Sequence, residues 1–80
     1  MSTVNSYGFE VAATDVIAAL TCEGERAKSE GFDVTATRQF GNARHLRNAA
    51  DHMAGICPEG HRVRVRLVVD FVPDVNAVRA

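Results

Sequence analysis

The segment Cys57-Pro58-Glu59-Gly60-His61 sets a thiol and an imidazole four residues apart across a turn, a spacing that can chelate Zn²⁺. A structural zinc site is normally built from two such pairs. Cys22, His45 and His52 offer further ligand atoms but form no second close pair, so the simpler reading is a small thiol at a helix end beside a histidine that leads into a strand. Nucleophilic chemistry would need Cys22 or Cys57 beside one of the histidines and an orienting Asp or Asn. Neither cysteine stands in a recognisable local signature, and a chain of 80 residues has little room for both a core and a substrate pocket. The six glycines are isolated and fit no phosphate-cradling loop. The expectation is a protein with no catalytic residues, no cofactor and no metal.

A second pattern concerns binding. Residues 61–72 read HRVRVRLVVDFV, in which Arg62, Arg64 and Arg66 alternate with Val63, Val65 and Leu67. Period two sends Val63, Val65, Leu67, Val69 and Phe71 to one face and Arg62, Arg64, Arg66, Val68, Asp70 and Val72 to the other. The apolar set reads as the spine of a core. The arginines read as an outward row that solvates the sheet, pairs with Asp33 or Glu10, or contacts a partner.

Three other stretches must position these residues. Ala43, Leu46, Ala49, Ala50, Met53 and Ile56 recur at spacings of three and four, which predicts a helix over about 43–55 with Asn42 as its N-cap and Arg44 and Arg47 on its outer side. The alternation of Phe32, Val34 and Ala36 predicts a strand over 32–38, followed by a loop at Gln39-Phe40-Gly41. Residues 14–28 are expected to be helical, with Glu10 and Asp15 early and Arg26 and Lys28 late along the helix dipole. Tyr7, Phe9 and Val11 fit either a short strand or the first turns of that helix. The resulting fold class is a single α+β domain over residues 1–80: two helices packed on one face of a small, mainly antiparallel sheet, in the order (β)αβαβ. Should the first strand be absent, a two-stranded sheet is marginal alone, which favours a homodimer that joins sheets edge to edge.

Composition narrows the function classes. The net charge is −1, yet residues 1–37 hold six acidic and two basic side chains, for −4, while residues 38–66 hold six basic and two acidic, for +4. In so small a domain the first expectation is that the two halves face each other and neutralise. A pI near 6.3 argues against a dedicated nucleic-acid binder. No apolar run approaches the roughly 18–20 residues of a membrane span, the N-terminus carries no secretory signal pattern, and two cysteines fall short of a disulfide framework. These features predict a cytoplasmic protein with reduced thiols.

In general character, with one small α/β domain, no catalytic signature and segregated charge, the chain resembles the small phage-encoded anti-CRISPR and host-defence inhibitor proteins. That resemblance implies inhibition by occupying a surface of a protein or ribonucleoprotein complex. The surface would be either an acidic one that mimics nucleic acid, formed by Glu10, Asp15, Glu23, Glu25 and Glu30, or an arginine one formed by Arg62, Arg64 and Arg66 with Arg44 and Arg47. The alternative function is a small nucleic-acid-binding accessory protein using the arginine-lined strand.

Overall fold

Alanine and glycine at helical spacing decide the centre of the molecule. The computed structural model describes residues 6–74, with elements in the order β1 (Ser6–Val11), α1 (Ala13–Ser29), α2 (Asp33–Gly55) and β2 (Val65–Asp70). The first helix matches its expected position, and the undecided stretch before it is a strand. Residues 32–38, expected as a strand, are instead the start of α2. Ala36, Phe40 and Ala43 continue one stripe with Leu46 and Ala50, and this 3.6-residue period outweighs the short alternation of Phe32, Val34 and Ala36. Asn42, expected as a cap, therefore lies inside the helix, and Gly41 is carried through it with open space beside it.

The turn between the helices explains why α1 stops where it does. Glu30 caps α1, Gly31 follows at φ 83°, the Gly31 N–H donates to the Lys28 carbonyl at 3.1 Å, and the Phe32 N–H donates to the Ala27 carbonyl at 2.8 Å. These are the paired 5→2 and 6→1 bonds of a Schellman motif, which needs a left-handed residue that glycine supplies without steric cost. The chain then reverses at once, because the Phe32 carbonyl already accepts from the Ala36 N–H. With only residues 30–32 between them, α1 and α2 pack side by side as a hairpin. Their seam is built from small residues: Gly24, Ala27, Ala36 and Ala43 are its buried members. A Cβ on Gly24 would stand 2.6 Å from the ring of Phe40, so this glycine is what admits the aromatic side chain between the helices.

β1 and β2 pair antiparallel, with Tyr7 opposite Val69, Phe9 opposite Leu67 and Val11 opposite Val65. The class is α+β and the sheet is antiparallel, as expected, but the order is βααβ and the sheet has two strands. The helices do not lie on a face of the sheet as expected. Helices pack on each other and strands on each other, and the two pairs meet only at a few points. The reason lies in α2: once residues 33–42 are helical there is no middle strand to broaden the sheet beneath the helices.

The consequence is a plate. The molecule measures 53 × 47 × 16 Å with a radius of gyration of 16.6 Å, against about 12 Å for a compact chain of this length. Buried hydrophobic residues are confined to Ala27, Ala36 and Ala43, and no large side chain is fully buried among the described residues. The expected core spine of Val63, Val65, Leu67, Val69 and Phe71 is therefore only partly covered in a single copy. Leu67 is 38% exposed, Val69 58% and Phe71 82%.

The Gly24–Phe40 contact carries a testable consequence. Gly24→Ala should gain about 1 kcal/mol of helix propensity and lose about 1–3 kcal/mol to overpacking, so denaturant unfolding should show a net loss near 1 kcal/mol. In a Phe40→Ala background the same change should raise stability.

Candidate binding surfaces

The ribbon formed by β1 and β2 has two chemically distinct faces. The register puts Tyr7, Phe9, Val11, Val65, Leu67 and Val69 on one side, a wholly apolar set, and Ser6, Gly8, Glu10, Arg66, Val68 and Asp70 on the other. The face assignment made from period two along residues 61–72 holds for the strand itself. What differs is the covering, since among the described residues no helix lies across the apolar side. Tyr7 is 65% exposed and Phe9 52%. That face runs into α1 through an open groove of about 610 Å³ lined by Phe9, Val11, Val16, Ala19, Leu20 and Leu67, with Glu10, Asp15 and Glu23 around it.

One ion pair fixes the base of the ribbon. The Arg62 guanidinium donates from both terminal nitrogens to the Glu10 carboxylate, at 2.8 and 3.0 Å, so the fork meets both oxygens. This joins β1 to the segment entering β2 across 52 residues of sequence. The Arg62 hydrogen bonds, aided by the charges of Arg62 and Arg64, hold the Glu10 carboxyl below its ordinary value of 4.5, and Glu10 in turn raises the Arg62 guanidinium. Of the two expected partners of the arginine row, Glu10 is met by Arg62, whereas Asp33 begins α2 rather than a neighbouring strand and makes no ion pair with the row. The Arg66 guanidinium lies across Gly8 on the neighbouring strand, in space that a Cβ at Gly8 would occupy. Arg64 and Arg66 make no ion pair among the described residues.

The acidic candidates do not gather into one surface. Glu23 and Glu30 are both engaged by Arg26, at 2.7 and 3.5 Å, and the Arg26 hydrogen bond lowers the Glu23 carboxyl. Asp15 and Glu23 border the groove beside the ribbon, whereas Glu25 lines a different groove of α1 with Cys22 and Arg47. The arginine candidates are likewise divided. Arg44 and Arg47 are exposed on α2, and the groove that Arg47 lines contains none of Arg62, Arg64 and Arg66. The grooves that Arg62 and Arg64 line contain neither helix arginine. β1 lies against β2 and α1 against α2, and among the described residues one ion pair, Arg62 with Glu10, joins the acidic first half to the basic stretch.

The cysteine and histidine pattern resolves into a turn. The His61 N–H donates to the Pro58 carbonyl at 3.1 Å and Gly60 has φ 79°, the signature of a type II turn. The His61 ring holds Nδ1 3.1 Å from the Glu59 carbonyl, and the Cys57 thiol lies 3.8 Å from the Pro58 carbonyl. Both rest on local backbone atoms. Cys57 and Cys22 are unbridged, and no group of three metal-ligating side chains is gathered among the described residues. No helix there is long and apolar enough to cross a membrane.

Sequence periodicity identified the apolar face; it gave no signal that the face is open, because the missing cover depends on residues 33–42 being helical. The chain matches no family model, and no curated protein or solved structure is significantly similar to it.

Since the folded-state carboxyl of Glu10 titrates below 4.5, its pair with Arg62 contributes stability that is present above that value and is lost as the pH falls through the lower folded value. Thermal unfolding of wild type and Glu10→Gln should therefore differ near neutral pH, with wild type the more stable, and converge in acid.

Proposed function

We propose that this chain is a non-enzymatic binding protein that acts by occupying a surface of another protein or nucleoprotein complex, as the small phage-encoded inhibitors it resembles in general character do. One observation supports this reading above the others. An uncharged sheet face, the one bearing Tyr7, Phe9, Leu67 and Val69, is directed outward. Contiguous exposed apolar area with a charged border is the usual mark of a protein interaction site. The grooves beside it are broad and shallow, which suits contact with a protein surface better than enclosure of a small substrate. Asp15 and Glu23 supply charge beside that surface, where it steers encounter and sets partner choice more than it adds affinity.

The nucleic-acid alternative has less behind it. Arg62 is occupied by Glu10, Arg47 borders a different groove, and the exposed rings of Tyr7 and Phe9 lie on the face opposite Arg66. A stacking platform needs rings and cations on the same side.

Two measurements test the reading. Titration with mixed-sequence DNA and RNA at low salt should show no binding; a Kd that weakens steeply with salt and again with Arg64→Glu would replace it with the nucleic-acid reading. In nuclease-treated host lysate that also holds the untagged chain, a tagged copy should retain in stoichiometric amount a protein partner, whether a different protein or a second copy, that Val34→Asp also retains and Phe9→Asp does not. Equal retention by Phe9→Asp would overturn it.

A further inference from the structure

We infer that the occupant of the apolar ribbon face is a second copy of this chain, and that two such plates stack face to face to make the core that one copy lacks. The inference rests on the reading of that face as a protein-binding surface and names its partner.

The surface area sets the scale. A compact chain of 8.6 kDa exposes about 4,700 Å², whereas this one exposes 6883 Å². Granting the eleven residues outside 6–74 the whole surface of an unfolded segment, about 1,700 Å², and comparing the rest with a compact fold of 69 residues, about 4,200 Å², still leaves about 950 Å² in excess. Two copies would thus have about 1,900 Å² to bury between them, which falls within the range of stable protein interfaces and borders on that of obligate dimers.

The chemistry of the face favours a copy of itself over a different protein. Its six ladder positions, Tyr7, Phe9, Val11, Val65, Leu67 and Val69, carry no charge, the composition of an obligate interface core. The sizes are also self-complementary. The rings of Tyr7 and Phe9 are on β1, and the smaller Val65, Leu67 and Val69 are on β2, opposite them. A two-fold axis parallel to the strands and between two stacked ribbons lays β1 of each copy over β2 of the other, so rings meet aliphatic side chains in both halves of one isologous contact. The result is two sheets about 10 Å apart, the ordinary two-layer solution for an apolar sheet face. A molecule only 16 Å thick leaves that second layer to be supplied from outside.

Sedimentation equilibrium and concentration-dependent thermal unfolding test this together. Wild type should sediment at twice 8.6 kDa in the micromolar range, equally at low and high salt because the contact has no charges, and its Tm should rise with protein concentration. Phe9→Asp and Leu67→Asp should sediment as monomer or unfold, with at least a tenfold weaker association, while Val34→Asp on α2 should remain dimeric. A folded wild-type monomer at tens of micromolar, or a dimer that survives both ribbon variants, would overturn the inference. A monomer whose lysate partner is lost with Phe9→Asp would overturn it too, yet leave the binding-protein reading standing. A monomer with no such partner would remove both.

Discussion

The structure depends on one constraint: an amphipathic sheet must bury its apolar face, and among the described residues neither helix lies across it. Helices and sheets are each apolar on one side, and stable domains pair those sides in layers. Here the two helices satisfy one another through a seam of glycine and alanine and leave the ribbon to itself. The seam is close because its side chains are small, and for the same reason it removes little apolar area from water. Full burial of a Phe, Leu or Val side chain is worth about 1.5–3 kcal/mol. With Tyr7, Phe9, Leu67 and Val69 still between about a third and two thirds exposed, about 1 kcal/mol for each of these side chains remains to be gained across the ribbon face. Over two copies that sum reaches the scale of a whole domain's net stability, about 5–15 kcal/mol.

Much of the local structure was legible in the sequence. Period two along residues 61–72 sorted the strand faces, and helical spacing located α1 to within a residue at each end. The first half of α2 was not legible. Phe32, Val34 and Ala36 alternate like a strand over seven residues, and Gly41 reads as a break, but the stripe of Ala36, Phe40 and Ala43 belongs to a longer period that only the partner helix makes decisive. This local misreading had a global effect. A strand at 32–38 would have broadened the sheet and given the helices a face to cover.

The electrostatics follow from the same topology. In a βααβ chain the first half lies against the second, so the acidic first 37 residues and the basic stretch that follows are brought side by side. The two-pronged contact of Arg62 with Glu10 ties these halves at the base of the ribbon. That pair is the one ion pair between the two halves among the described residues, and the acidic candidates and the arginine candidates are each divided between different grooves. What remains distinctive on the surface is apolar, and the functional reading rests on it.

Tyr7 offers the most direct test. It is the chain's one tyrosine, there is no tryptophan, and it stands on the ribbon's apolar face at 65% exposure in a single copy. Its fluorescence therefore reports on that face alone. Acrylamide quenching of Tyr7, measured across a dilution series of the native protein, should be weak when the protein is concentrated and rise towards that of a free tyrosine as the second layer dissociates. Strong quenching that does not change with concentration would show the face open to water in the native state, and would contradict the account.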